Sequence, residues 1–247
     1  MQTGIQISSL KPLLKTAEEV TLAFDRMAAL GCRYGQLQWI DPSVPIDHIA
    51  AEMRRVGMIS LGTQDFYAVI RENLKYYVNL NAATGGIWLA VSRIPEEYKS
   101  PEGLDRFARE LEALRDLLAP LGQRLCLHPV SVDYAAVPGL NAVEYLLEKL
   151  PWLALCLDLY HLDKHCGDMP VFIRRYAGRI PMVHFKDHRE GVLCPAGRGQ
   201  VNWDGVVPAC LEAGVAYGLA EQESWQGDPY ECLQQAMDWI QGQISAG

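Results

Sequence analysis

Four apolar runs in the second half of the chain stop in ionisable residues. "QRLCLHP" (123–129) reaches His128, and "LALCLDL" (153–159) reaches Asp158 with His161 three residues on. "IPMVHFK" (180–186) reaches His184 and Lys186, and "YGLAEQE" (217–223) reaches Glu221 with Glu223 behind it. Each alone has a plain structural use, because a strand-end carboxylate often caps a helix and an isolated His is often hydrogen-bonded in a core. Brought side by side, imidazole nitrogens and carboxylate oxygens form a donor set suited to a divalent ion such as Mn²⁺, Co²⁺, Zn²⁺ or Mg²⁺. Such an ion next to a carbonyl stabilises an enediolate and so eases removal of a carbon-bound proton. A carboxylate or imidazole within hydrogen-bond reach then carries the proton.

Only adjacent parallel strands would bring those four ends together. Short apolar runs alternate with longer amphipathic stretches along the whole chain, the pattern of β-α units. The predicted strands are 4–9, 34–40, 57–63, 86–92, 123–129, 153–159, 180–186 and 217–223. The predicted helices are 17–30, 45–56, 65–80, 101–118, 139–150, 168–176, 203–213 and 229–240, three of them closed by Gly31, Gly57 and Gly214. Eight of each in 247 residues match a closed α/β (β/α)₈ TIM barrel, here a single domain over 1–247. A Rossmann sheet fits poorly, since the first turn, "SSLKPLLKT", has no glycine. In a barrel the carboxyl ends of the strands form the active rim, which is where the ionisable residues lie.

Composition narrows the partners. A formal net charge of −8 argues against a broad nucleic-acid surface and leaves a small molecule as the expected partner. No apolar run approaches the roughly 18 residues of a membrane span, and the amino terminus lacks a signal-peptide pattern. A cytoplasmic protein is expected, with homo-oligomerisation left open. Seven cysteines without a CxxC pair read as reduced thiols.

The segments "LDLYH" (157–161), "VHFKDHREG" (183–191), "PAGRGQVNWDGVV" (195–207) and "YGLAEQE" (217–223), in this order, resemble those of the xylose isomerase-like TIM barrels, the sugar phosphate isomerases/epimerases. "LCLHPVSVDY" (125–134) is similar to the family's fifth-strand motif, and "TLAFDRMAALGCRYGQLQ" (21–38) to its opening helix and second strand. The resemblance implies a metal held by Asp158, His184 and Glu221 with a fourth ligand from the fifth strand. It also implies that His161 contacts a substrate oxygen, that Lys186 supports the ligands or a substrate oxygen, and that Arg198 binds substrate.

Many relatives carry Glu at the end of strand five, whereas this chain has His128. Alternation puts Cys126 and His128 on one face and favours His128 as fourth ligand, with Asp133 as the alternative. Glu221 is the expected base, with His161 as polariser or relay. Gln38, Glu223 and Trp225 are further candidates for substrate contact, and Gln64, Trp39, Trp88 and Trp203 lie where a rim could use them. Trp152 and Trp239 read as packing, and His165, Cys166 and "HREG" (188–191) as loop residues. The expected function is a metal-dependent isomerase or epimerase of a sugar or keto-polyol. The alternatives are a dehydratase of a keto-cyclitol or related hydroxy-ketone, or a non-catalytic carbohydrate-binding relative. The DNA-repair endonuclease of this superfold needs more His and Glu ligands and basic loops that this chain lacks.

Overall fold

The computed structural model of the protein describes residues 1–165 and 167–246. Eight parallel strands close into a barrel: β1 (Gln2–Gln6), β2 (Tyr34–Leu37), β3 (Ile59–Phe66), β4 (Trp88–Ser92), β5 (Arg124–His128), β6 (Ala154–Asp158), β7 (Met182–Phe185) and β8 (Tyr217–Ala220). Each pairs with its sequence neighbours, and β8 closes the ring on β1. Helices on the outside connect them, so the chain is a single-domain (β/α)₈ barrel.

Period-two alternation divides the apolar residues into two cores. Outward residues such as Leu127, Leu157, Val183 and Phe185 pack against the helices in one large cluster. Inward residues, among them Cys126, Cys156, Met182 and Leu219, form a separate plug inside the barrel. His128, Asp158, His184 and Glu221 each come two positions after one of these plug residues. The alternation that sends the plug inward therefore also sends all four side chains inward, one layer above the plug. Register completes the placement, since Asp158 lies opposite His184 and Ser92 opposite His128.

β3 breaks the alternation. Two residues of β3 oppose one step of β2 where the register shifts between Gly35 and Gln36, a bulge that changes which face the later residues take. Leu61 points into the plug and so, three residues later, does Gln64. Gly62 makes the bulge, with φ +143° and an added Cβ that would lie 1.9 Å from the Trp88 carbonyl oxygen.

The third helical stretch departs from the expected 65–80. β3 runs on to Phe66, and the helix is split at Asn73 into Tyr67–Glu72 and Leu74–Thr84. β1 stops at Gln6 and continues as a 3₁₀ helix, Ile7–Leu13. The helix Ala17–Ala29 starts as its sequence dictates, with Thr16 and Glu19 in a reciprocal capping box. "HREG" is a hairpin rather than a loop. Asp187–Arg189 pairs with Val192–Cys194 across Glu190 and Gly191, both at positive φ as a tight type I′ turn requires. Cys32, Cys126, Cys156, Cys194, Cys210 and Cys232 are free thiols, and Cys166 lies outside the described residues. Among the described residues no helix is long and apolar enough to cross a membrane.

Candidate metal centre and substrate pocket

His128, Asp158, His184 and Glu221 are each at most 4% exposed, and one ligand atom from each lies within 4.8 Å of all the others. The neighbours of each residue hold one polar atom and leave the other pointing inward. Gln36 Oε1 can only accept, so its 2.7 Å contact makes His184 Nε2 the donor and leaves Nδ1 as a lone pair. That Nδ1 sits 3.0 Å from Glu221 Oε2 and 3.2 Å from His128 Nε2. His128 Nδ1 lies 3.2 Å from Ser92 Oγ, and the tautomer that donates there presents Nε2 to the cluster. Asp158 Oδ1 accepts from the His161 backbone N–H, and Glu221 Oε1 accepts from Ser8 Oγ. Asp158 Oδ2 and Glu221 Oε2 remain buried with no hydrogen-bond partner.

Two nitrogen lone pairs and two carboxylate oxygens that accept no hydrogen bond and face only the Lys186 charge are the donor set a borderline or hard divalent ion takes. Buried carboxylate oxygens normally accept hydrogen bonds, so the residues present fit a metal. Burial, and then the neighbouring His184, push His128 down to about 3, so its imidazole is neutral and ready to ligate. The contacts from Gln36 and Ser92 are the outer-shell partners that fix ring tautomers in metal sites. Gln36→Leu is accordingly expected to weaken Mn²⁺ binding about 10- to 100-fold in a calorimetric titration.

Lys186 stands over the cluster, 3.1 Å from Asp158 Oδ2, 3.5 Å from Glu221 Oε2 and 2.8 Å from Glu223 Oε1. Burial opposes its charge, but Asp158, Glu221 and Glu223 outweigh burial and hold the ammonium well above the ordinary lysine value. In return, Asp158 and Glu221 stay ionised: burial would raise both, and Lys186 leads the charges that pull them below the usual carboxylate range. Glu223 goes the other way, pushed up to about 7 by burial and by repulsion from Glu221. His161 Nδ1 lies 2.7 Å from Ser131 Oγ, and its Nε2 is 3.7 Å from Asp158 Oδ2. Above these groups opens a cavity of about 240 Å³, lined by Gln38, His128, His161, Lys186, Glu221 and Glu223 among others.

Other candidates sit elsewhere. Asp133 is buried, and its Oδ2 accepts from the Val130 backbone N–H as a helix cap, so the fifth-strand member of the cluster is His128. The Trp225 indole N–H is tied to the Ser9 carbonyl at 2.9 Å, and Trp225 does not line the cavity. Arg198 is exposed on the 195–203 loop, also outside the cavity lining. Trp88 begins β4 and lies at the end of the barrel away from the site. His165 stacks on Tyr134, with ring centroids 5.8 Å apart.

The 195–203 loop is organised by Asp187, the last residue of HxKD. Its fully buried carboxylate accepts from the backbone N–H groups of His188, Gly197, Gly199 and Val201 and from the Trp203 indole. An added Cβ at Gly199 would fall 2.1 Å from Asp187 Oδ1, so the loop can close on the carboxylate only with glycine there. Asp187→Ala strips five donors of their acceptor and is expected to cost at least about 3 kcal/mol in chemical denaturation.

The sequence points to the cluster and to Gln38 and Gln64, but not to Gln36, which orients His184, or to Gln6 behind it. Gln6 donates to Gln36, Gln36 to Gln64 and Gln64 to Gln38, at 3.2, 3.2 and 3.3 Å. Gln6 and Gln36 carry the inward parity that was applied to strands five to eight, and the same rule applied to strands one and two would have found them. Ser8 and Ser92 likewise stand at strand ends.

Comparison of the sequence with curated proteins found no match. Among solved structures, an L-ribulose 3-epimerase aligns over 100% of this chain and 95% of its own, with a TM-score of 0.79 at 18% identity. A Methylomonas sp. D-allulose 3-epimerase, solved with D-allulose, aligns over 98% and 96%, with a TM-score of 0.77 at 16% identity. The E. coli 3-keto-D-glucoside 4-epimerase aligns over 98% and 99%, with a TM-score of 0.73 at 16% identity. At these identities the likeness is one of fold. A family model matches residues 7–243, and with that span the chain belongs to the xylose isomerase-like TIM barrel family.

Proposed function

We propose that the protein is a divalent-metal-dependent isomerase or epimerase of a sugar or keto-polyol, acting by proton transfer next to a carbonyl. The observation that carries this is the convergence of four buried ligand atoms, two of them carboxylate oxygens that accept no hydrogen bond, beneath a cavity of sugar size. Structural neighbours named as epimerases of ribulose, allulose and a keto-glucoside support the substrate class. A metal held by His128, Asp158, His184 and Glu221 would supply Lewis acidity to a substrate carbonyl and its neighbouring hydroxyl.

The chain's own groups divide the remaining work. Glu221 is the proton acceptor, held by Ser8 through Oε1 and facing the cavity floor through Oε2. His161, steadied by Ser131 at the rim, hydrogen-bonds a substrate oxygen. Lys186 keeps a fixed positive charge beside the oxygen that becomes negative as the proton leaves. Gln38 and Glu223 hydrogen-bond hydroxyls from the cavity wall, and the apolar plug beneath excludes water from below.

His128 also gives a second reading its footing. With an imidazole at the end of β5, that strand supplies no carboxylate to act as a second base beside Glu221. One-base isomerisation, or loss of water β to a carbonyl, needs only one. The test is incubation of Mn²⁺-loaded protein with ketoses and keto-cyclitols in D₂O, followed by NMR. Isomerised product carrying carbon-bound deuterium supports the isomerase, loss of water identifies the dehydratase, and no exchange with any substrate contradicts both.

A further inference from the structure

A second, larger cavity of about 620 Å³ adjoins the metal pocket, and Gln38, Trp39 and Gln64 line both. Its inner wall is apolar and well buried, with Leu14, Leu37, Ile40, Tyr77 and Leu80 each at most 7% exposed, while Lys11, Lys15, Val69 and Asn73 line it from the exposed side. The metal pocket, at about 240 Å³, suits one sugar ring, whereas the larger cavity lies within the roughly 300–1,000 Å³ range of sites that enclose whole organic ligands. None of the proton-transfer groups lines it, so the chemistry assigned above leaves it without a role.

One backbone detail marks the edge of the cavity as a functional position. Trp39, at the edge between the cavities, is held at φ +59°, a conformation that bulky side chains avoid and that tends to persist at functional positions. Lys11 Nζ lies 4.2 Å from the centroid of its ring, and the Phe66 ring packs against it at 6.3 Å. The result is a fixed aromatic shoulder between a polar pocket and an apolar one.

We propose that the substrate is a glycoside rather than a free sugar, with its keto-sugar ring over the metal cluster and an aromatic aglycone in the adjoining cavity. This rests on the isomerase reading above and deepens it. The sugar hydroxyls meet Gln38 and Gln64 at the boundary, the glycosidic oxygen crosses the Trp39 edge, and the aromatic ring packs among Leu37, Tyr77 and Leu80.

Calorimetric binding to Mn²⁺-loaded protein of phenyl and methyl β-D-glucosides tests the proposal without requiring turnover. The phenyl glucoside is expected to bind at least about tenfold tighter than the methyl glucoside. Val69→Trp, which fills the cavity from its exposed side, is expected to bring the aryl and methyl affinities within about twofold. Val69→Phe, a smaller filling group at the same exposed position, is expected to remove part of the aryl preference, so the cavity is still tested if the larger substitution disturbs folding. Equal affinities for the two glucosides, or an aryl preference untouched by both variants, would overturn the proposal. The 3-keto derivatives in D₂O separate the two claims. Aryl-selective binding without deuterium exchange sinks the isomerase reading and leaves the subsite standing, whereas exchange with free ketoses and no aryl preference does the reverse.

Discussion

Glu221→Gln is expected to lower the rate of deuterium incorporation into substrate by on the order of 10³-fold, within the range that a positioned general base contributes. The change keeps side-chain volume and a partner for Ser8, but removes the carboxylate that meets His184 Nδ1 at 3.0 Å and Lys186 at 3.5 Å. Fold loss is not the expected cause, because Lys186 keeps Asp158 and Glu223 as counter-charges. The measurement is NMR-detected exchange on Mn²⁺-loaded wild type and variant, with thermal unfolding run alongside. A fall of less than tenfold with the fold intact would move the base to another side chain, and His161 would be the next to replace.

Gly62→Ala is expected to cost about 4 kcal/mol or more, among the largest effects of a single methyl group anywhere in this fold. At φ +143° an L-residue is strained, and the new Cβ would lie 1.9 Å from the Trp88 carbonyl oxygen, so β3 or β4 must shift. At roughly 2–4 °C per kcal/mol for a chain of this size, the midpoint should fall by about 8–16 °C. The bulge also sets the parity of Gln64, which accepts from Gln36, the residue that orients His184. Metal affinity should therefore fall together with stability. Urea denaturation and Mn²⁺ titration of the same variant check both, and a loss under about 1 kcal/mol would show that the bulge relaxes freely.

The parts of this molecule legible in its sequence are those governed by period-two alternation. In β5 to β8 an unbroken inward-outward pattern ends in His128, Asp158, His184 and Glu221, so counting by two from Cys126, Cys156, Met182 and Leu219 locates the cluster. Alternation says nothing where the backbone itself changes phase. The bulge at Gly62 depends on how closely β4 approaches, and strand three, read as ending at residue 63, stopped one residue short of Gln64. Asn73 splits a helix that an apolar pattern carries through, and its amide bonds back to the Val69 carbonyl. The placement of Arg198 and Trp225 depends on long-range contacts that alternation does not describe, of the loop with Asp187 and of the indole with the Ser9 carbonyl. Asp133 was the counter-example within reach of local rules, a carboxylate three residues past Val130 that caps rather than ligates.

Mn²⁺ titration of chelator-treated protein with parallel thermal unfolding asks whether four strand ends hold one divalent ion. One ion per chain is expected and, at a hundredfold excess over the dissociation constant, about 2.7 kcal/mol of stabilisation, or roughly 5–11 °C in midpoint. Both should be lost in Asp158→Ala and His184→Ala. No saturable binding, or binding and stabilisation that survive both substitutions, would contradict it.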